Sequence, residues 1–212
     1  MGDLLAARDH VFLDFDGPVC TLFSALPASE AADRLKALLS PGLPDDIAAS
    51  ADPFEILAFA ASCGPSAASV VERQLKRLEL EAVSQATPGA LDVIHDLARD
   101  GYTLTIVSNN SVDAVRAFLV MHDLAQAVRR ISARVDGDVS KLKPSPFLIE
   151  QAIRGLGTSP SRCLMVGDSV ADIEAARAAG VAVVAYANKP GKRERFAPYE
   201  PDVIIEDLAT LR

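Results

Sequence analysis

Cysteine is scarce in this chain, and the few that are present are not spaced as a metal or disulfide framework would require. Among 212 residues there are three, Cys20, Cys63 and Cys163, an odd number with no C-x-x-C pair. This pattern argues against both a disulfide scaffold and a zinc site. Cys163 lies in an apolar run, so we expect it to pack in the core. Cys20 closely follows two acidic residues, Asp14 and Asp16, so it either lies near their site or packs in the core, and we favour packing.

Clustered positive charge and long apolar runs are missing too. The formal net charge is -8, which disfavours nucleic acid as a partner but still allows a local site for a small anion. No apolar run reaches the length of a bilayer span. Residues 1–10 lack the basic start and apolar core of a secretory signal. We therefore expect a cytoplasmic protein that binds neither membrane nor nucleic acid.

One apolar stretch ends abruptly in two carboxylates. Residues 11–17 read Val-Phe-Leu-Asp-Phe-Asp-Gly, with Asp14 and Asp16 one residue apart and Gly17 behind them. A run with little alternation predicts a buried strand of a parallel sheet, and ligands bind at the carboxyl ends of such strands. Side chains two apart on a strand share a face. An all-oxygen cluster of this kind suits a hard divalent cation such as Mg²⁺.

The residues after this strand change character for about seventy positions. Residues 18–87 hold helical patterns and no strong strand run, so we expect an all-helical insertion, called here the helical cap, between core segments 1–17 and 88–212. Helical spacing covers 29–39 and stops at 40–42, while Asp52-Pro53-Phe54-Glu55 has the capping residue, proline and early acid of a helix start. The cap is either a simple helical lobe or a lid over the carboxylates.

Strands and helices alternate through the rest of the chain. Helical patterns occur at 90–99, 112–122, 147–154 and 172–179, and strand patterns at 102–107, 128–132, 162–166, 181–186 and 202–206. Alternation of this kind predicts an α/β fold with a doubly wound parallel sheet.

Polar side chains of complementary kinds follow several of these strands or lie in the loops after them. They are Asp14, Asp16, Ser108, Asn109, Lys143, Asp168 and Asp172. In a parallel sheet the strand ends share one edge, so these groups can converge. Carboxylates, one cation and hydroxyl and amide donors are what phosphoryl transfer through a carboxylate nucleophile requires.

Four short motifs in this order resemble those of the haloacid dehalogenase superfamily, in a phosphoglycolate phosphatase or β-phosphoglucomutase-like branch with a helical cap. The matching positions are Asp14, Asp16 and Gly17 for D-x-D-G, then Ser108, then Lys143-Pro144-Ser145-Pro146, then Gly167, Asp168 and Asp172 for G-D-x-x-x-D. The resemblance covers nearly the whole chain and implies a Rossmann-like core.

The resemblance also implies a catalytic role for the first carboxylates. Asp14 would attack phosphorus and form an aspartyl-phosphate, while Asp16 would protonate the leaving oxygen and then activate water. Mg²⁺ would be held by the Asp14 carboxylate, the Asp16 main-chain carbonyl and Asp168. Asp172 would orient Lys143 or a metal-bound water.

Phosphate binding is implied for three further residues. Ser108, the Asn109 amide and Lys143 would contact the phosphoryl oxygens. Lys141 competes with Lys143 for this role, but the prolines that follow favour Lys143. The charged residues of the cap helices, such as Arg34 and Arg73, have the spacing of a solvated face.

These residues indicate a Mg²⁺-dependent phosphatase for a small metabolite of the phosphoglycolate or sugar-phosphate type. A phosphomutase of the β-phosphoglucomutase kind would use the same groups and stays open. A non-catalytic binding protein on the same scaffold is the third alternative. The stretch after Gly17 lacks an acid that many relatives carry, which weakens any transfer of their substrate preference.

Overall fold

The computed structural model describes residues 2–39 and 42–212 and is built around one six-stranded sheet. The strands are β1 (His10–Leu13), β2 (Thr103–Ser111), β3 (Val128–Arg134), β4 (Cys163–Gly167), β5 (Ala182–Tyr186) and β6 (Val203–Ile205). Their order across the sheet is β3-β2-β1-β4-β5-β6, and every neighbouring pair is parallel. The doubly wound α/β fold expected from the sequence is confirmed.

Ten α-helices occur in the described residues. They are α1 (Gly2–Ala6), α2 (Ala28–Lys36), α3 (Asp45–Ala49), α4 (Pro53–Ser62), α5 (Pro65–Ala82), α6 (Ala90–Arg99), α7 (Val112–Met121), α8 (Phe147–Leu156), α9 (Val170–Ala178) and α10 (Lys192–Phe196). None of them is long and apolar enough to span a membrane. The sequence did not predict α1 or α10, which are both short.

Both faces of the sheet are buried, which explains why the central strands show little alternation between apolar and polar residues. Successive side chains of β1 go to opposite faces: Val11 and Leu13 join one apolar cluster with α6 and α7, and Phe12 joins the other with α8 and α9. Each of these three β1 side chains is at most 2% exposed. The central strand is therefore held from both sides.

Strand β2 runs further than the sequence predicted. Residues 108–111 were expected to follow the strand, but they belong to it, and Ser108 and Ser111 pair with Ala133 and Arg134 of β3. These polar residues can remain in a buried strand because they form hydrogen bonds with other buried groups. The main-chain N–H of Ser111, for example, donates to Glu79 Oε2 at 2.9 Å.

Helices α2 to α5 lie within residues 18–87, the segment named the helical cap. The chain enters and leaves this segment through two hydrogen-bonded stretches. The N–H of Thr21 donates to the carbonyl of Gln85 at 3.0 Å, and the N–H of Thr87 donates to the carbonyl of Val19 at 3.0 Å. The Thr87 hydroxyl also donates to the Gly17 carbonyl at 2.6 Å. The junction therefore lies directly beside the end of β1. Of the helix stop predicted at residues 40–42, residues 40 and 41 lie outside the described residues.

A buried ionic network joins cap helix α5 to the sheet. Arg134, at the end of β3, contacts Glu72 Oε1 and Glu79 Oε1 through its two terminal nitrogens, each at 2.7 Å. Its Nε donates to the carbonyl of Asn109 at 3.0 Å. Glu79 also accepts from the side chain of Asn110 at 3.2 Å. The cap is thus fastened to the strand that carries the candidate phosphate-binding residues.

Candidate active site

The predicted site residues meet where the winding of the sheet reverses. Strand β1 lies between β2 and β4, so consecutive crossovers leave in opposite directions and open a crevice at the carboxyl edge. A cavity of about 310 Å³ occupies this crevice. It is lined by Asp14, Asp16, Asp52, Phe54, Ser108, Asn109, Asn110, Lys143, Asp168, Ser169 and Ala171. Six of the seven predicted residues line it, and the seventh, Asp172, is buried and bonded to Lys143.

Asp14 stands at the end of β1 and is nearly buried. Its Oδ1 contacts Lys143 Nζ at 2.7 Å and accepts the N–H of Phe15 at 2.7 Å. Burial raises the pKa of Asp14, the carboxylates of Asp172 and Asp168 raise it further, and the Lys143 ammonium opposes both. The carboxylate is thus oriented by two donors and surrounded by like charge.

Asp16 lies two residues after Asp14 and has a different hydrogen-bond partner. Its Oδ1 accepts the N–H of Leu22 at 3.0 Å. Burial raises the pKa of Asp16 to about 6, although the Leu22 hydrogen bond opposes the shift. The two carboxylates of the first motif therefore differ in partners, as groups with different roles require.

Lys143 lies between two carboxylates. Besides Asp14, its Nζ contacts Asp172 Oδ1 at 2.5 Å and the carbonyl of Val107 at 3.1 Å. Burial alone would lower the pKa of Lys143, but the charges of Asp14 and Asp172 outweigh it and raise the pKa. The second oxygen of Asp172 accepts from the N–H and hydroxyl of Ser169 in a capping box at the start of α9. Asp172 thus positions Lys143.

Asp168 directly follows β4, on the other side of β1 from β2. Its Oδ2 accepts from Asn188 Nδ2 at 3.1 Å and from Lys192 Nζ. Lys192, in α10, was missed from the sequence because its short helix gave no periodic signal, although it follows β5 at the same edge. Gly17 packs against the carboxyl group: a Cβ there would lie 2.3 Å from Asp168 Cγ, and the φ of Gly17 is +117°. The glycine of the first motif is therefore needed for both space and backbone conformation.

Carboxylate oxygens of Asp14, Asp168 and Asp172 lie within 4.8 Å of one another. This donor set fits a hard divalent cation. Both oxygens of Asp172 are already engaged by Lys143 and Ser169, so Asp14 and Asp168 are the side chains best placed to hold one. The side chain of Asp16 does not belong to this group of carboxylates. The sequence analysis expects Asp16 to contact the cation through its main-chain carbonyl instead.

The predicted phosphate-binding residues of β2 are joined to their surroundings by hydrogen bonds. The hydroxyl of Ser108 donates to Asn110 Oδ1 at 3.1 Å. The Asn109 side chain accepts from the N–H of Lys143 at 2.7 Å and donates to the Lys143 carbonyl at 3.0 Å. Asn109 therefore fixes the loop of Lys143 with its side chain, and a phosphate contact from this residue would come from its main-chain amide. Asn110 lines the cavity as well and was not predicted.

The cap contributes Asp52 and Phe54 to the cavity, at the start of α4. The sequence predicted this helix start, and Asp52 Oδ1 indeed accepts the N–H of Phe54 at 2.8 Å. Partial burial raises the pKa of Asp52, against that hydrogen bond. That these residues face the site was not predictable locally, because a capping motif does not reveal what a helix end faces.

A second cavity of about 510 Å³ adjoins the first and shares Asp16 and Asp168 with it. Its other walls come from the cap entrance, with Phe23 and Pro27, and from the loop after β5, with Lys189. Asp16 therefore faces space on both sides.

The basic residues that the sequence analysis did not assign to the site are absent from the lining of the first cavity. Lys141 pairs with Asp136 at 3.0 Å and with Asp138 at 3.3 Å. In the cap, Arg34 pairs with Glu30 at 2.6 Å and Lys76 with Asp113 at 3.0 Å. Of the described residues that line the first cavity, Lys143 is the one that carries a positive charge.

Known proteins share both this fold and parts of this sequence. Over 130 residues the chain is 31% identical to the phosphoglycolate phosphatase of Aliivibrio fischeri, covering 61% of this chain and 56% of that one. Over 120 residues it is 32% identical to the pyrophosphatase PpaX of Anoxybacillus flavithermus, covering 57% and 55%. The matches thus span about half the length of these relatives. The structure of CbbY from Rhodobacter sphaeroides in complex with phosphate superposes with a TM-score of 0.72 at 20% identity, covering 96% of each chain.

The fold and the crevice define an α/β protein with a carboxylate and lysine site at the carboxyl edge of its sheet. Residues 59–186 match the haloacid dehalogenase-like hydrolase family, which is more than half of the chain. The chain belongs to this family, and the resemblance drawn from its four motifs is confirmed.

Proposed function

We propose that this protein is a Mg²⁺-dependent phosphatase that hydrolyses a small phosphorylated metabolite through an aspartyl-phosphate on Asp14. The convergence of Asp14, Asp16, Lys143 and Asp168 on one cavity of about 310 Å³ carries this proposal. Relatives named phosphoglycolate phosphatase and pyrophosphatase support it, as does the phosphate complex of a protein with the same fold.

In the first step a carboxylate oxygen of Asp14 attacks phosphorus, and the bond from phosphorus to the leaving oxygen breaks. Asp16 gives its proton to that oxygen, and the alcohol departs. In the second step Asp16 takes a proton from water, the water oxygen attacks phosphorus, and the bond to Asp14 breaks. Inorganic phosphate is released and both carboxyl groups return to their starting states.

Lys143 and the donors of β2 stabilise the phosphoryl oxygens as charge redistributes among them. Lys143 is held in place by Asp172 and by the carbonyl of Val107, so no reorientation is needed when the phosphate arrives. Ser108 and Asn109 line the same cavity as Lys143. A Mg²⁺ ion held by Asp14, Asp168 and the carbonyl of Asp16 would supply neutralising charge.

The helical cap, residues 18–87, acts as the lid of this site. Two of its residues, Asp52 and Phe54, already line the cavity beside the core residues. A lid in this position excludes bulk water and macromolecular substrates, which suits a small metabolite.

The proposal is tested by hydrolysis of p-nitrophenyl phosphate with and without Mg²⁺. We expect Mg²⁺-dependent release of phosphate that falls about a thousandfold or more in Asp14→Asn, because the amide is a poor nucleophile. Asp45→Asn, which changes an exposed carboxylate of the cap outside the cavity, is the matched control and should retain activity. Equal rates for Asp14→Asn and the wild type would refute the proposal.

A further inference from the structure

The wall that the cap places over the candidate active site carries an acid and an aromatic ring. Asp52 and Phe54, at the start of α4, are the cap residues among those lining the cavity. The same cavity is lined by core residues to which a phosphate is assigned, including Ser108 and Lys143. A phosphoryl group bound by these residues leaves the remainder of its substrate in a cavity that Asp52 also lines.

Negative charge already predominates in this cavity. Its lining includes four carboxylates, those of Asp14, Asp16, Asp52 and Asp168. The ammonium of Lys143 lies 2.7 Å from Asp14 and 2.5 Å from the buried Asp172, so its charge is balanced before any ligand arrives. Even a divalent cation beside Asp14 and Asp168 would leave Asp52 without a partner of opposite charge among the described residues that line the cavity.

The N-terminus of α4 does not offer an anion site either. A helix start with free N–H groups attracts anions, but here the carboxylate of Asp52 accepts the N–H of Phe54 at 2.8 Å. Glu55 adds a second negative charge in the first turn and accepts a hydrogen bond from Ser50 Oγ at 2.5 Å. The chain's own carboxylates therefore occupy the place that an anionic substrate group would take.

Resting on the proposed function, we infer that the substrate is a phosphate monoester whose alcohol portion carries no negative charge. Asp52 is the specificity-determining residue: its carboxylate repels a second anionic group and accepts hydroxyl or ammonium donors. Phe54 offers an apolar surface beside it. This makes a carboxylate-bearing ester such as 2-phosphoglycolate, and any bisphosphate, a poor substrate. A phosphomutase cycle requires a bisphosphate intermediate, so this wall also argues against that activity.

Three esters of matched size test the inference. They are 2-phosphoglycolate, 2-hydroxyethyl phosphate and 2-aminoethyl phosphate, whose alcohol portions are negative, neutral and positive. For the wild type with Mg²⁺ we expect kcat/KM for the glycolate ester to be about tenfold below that for either of the others, because one uncompensated like charge opposes its binding.

Asp52→Asn isolates the charge, because asparagine caps a helix as well as aspartate does. We expect this variant to raise the ratio of kcat/KM for 2-phosphoglycolate to kcat/KM for 2-hydroxyethyl phosphate about tenfold. Asp45→Asn removes the same charge from the cap outside the cavity and should change neither value.

The inference is overturned if the wild type prefers 2-phosphoglycolate, or if Asp52→Asn leaves the ratio of the esters unchanged. Preference for the glycolate ester that disappears in Lys189→Ala would instead place the alcohol portion in the second cavity. If no ester is hydrolysed, the proposed function fails separately, and calorimetric binding of the three esters to Asp14→Asn with Mg²⁺ still decides the inference. Equal or tighter binding of the glycolate ester would overturn it, and weaker binding that Asp52→Asn removes would support it.

Discussion

Two lysines two positions apart in the sequence differ sharply in burial and in their partners. Lys143 is 6% exposed and contacts two buried carboxylates, whereas Lys141 pairs with Asp136 and Asp138 near the surface. The sequence favoured Lys143 because of the prolines after it, and the structure places it in the cavity.

Replacement of these lysines should therefore have unequal effects. We expect Lys143→Met to lower kcat/KM for p-nitrophenyl phosphate at least about a hundredfold, because the positive charge that faces the phosphoryl group is lost. Lys141→Met should keep kcat/KM within about twofold. Thermal unfolding of both variants checks that they are folded. A larger loss for Lys141→Met than for Lys143→Met would contradict the assignment.

The three cysteines also differ in their surroundings. Cys20 and Cys163 are buried, as the sequence predicted, and Cys63 is exposed at the end of α4. Burial raises the pKa of Cys20 to about 12 and that of Cys163 to about 11. Both thiols therefore stay protonated at pH 8. Because the thiolate is the reactive form of cysteine, we expect both to react slowly.

Titration of the native protein with a thiol reagent at pH 8 should show one fast group. We expect Cys63→Ser to remove the fast phase, and the remaining two thiols to react only after denaturant is added. Fast modification of two or three thiols in the native protein would show that the segment after β1, with Cys20, or the start of β4, with Cys163, opens readily.

At the scale of elements, the link between cap and sheet rests on the network of Arg134, Glu72 and Glu79. These side chains are at most 9% exposed, and Arg134 is the cation that contacts both carboxylates. Removing one member of a buried ionic network leaves uncompensated buried charge, which costs far more than losing an exposed pair.

Arg134→Met should lower the free energy of unfolding by about 3–5 kcal/mol. Arg34→Met, which removes an exposed arginine from its pairs with Glu30 and Glu81, should change the urea midpoint little. Since Arg134 also donates to the carbonyl of Asn109, we expect the first variant to raise KM as well. Equal urea midpoints for the two variants would show that the network does not fasten the cap.

This network also marks the limit of what local sequence reveals about the elements. Helix α6 and the start of helix α4 were predicted at their observed positions, because apolar periodicity and capping are local signals. The end of β2 was not predicted, because Asn110 and Ser111 are stabilised by hydrogen bonds to Glu79, about thirty positions earlier in the chain. A strand of polar residues can be recognised only when its distant partners are known.

At the scale of the whole molecule, the site depends on segments far apart in sequence. Because the strand ends of a parallel sheet share one edge, the sequence predicted that Asp14, Lys143 and Asp168 would converge. These three residues do line one cavity. The same argument could not find Asp52, because the orientation of the cap depends on its packing against the core rather than on strand order. The core part of the site was therefore predictable, and the cap part was not.

Because β1 and β4 would each supply a carboxylate to the proposed cation, its binding should stabilise the folded chain as a whole. A ligand that binds only the folded state adds about 2.7 kcal/mol at a hundred times its Kd, which for a chain of this size raises Tm by about 5 °C or more. We expect that increase with Mg²⁺ in the wild type and none in Asp168→Asn, while Asp45→Asn, changed outside the cavity, should respond as the wild type does. Asp168→Asn also loses the charge that Lys192 contacts, so its Tm without Mg²⁺ serves as its own baseline. An equal Mg²⁺ response in Asp168→Asn would place the cation elsewhere and remove Asp168 from the proposed site.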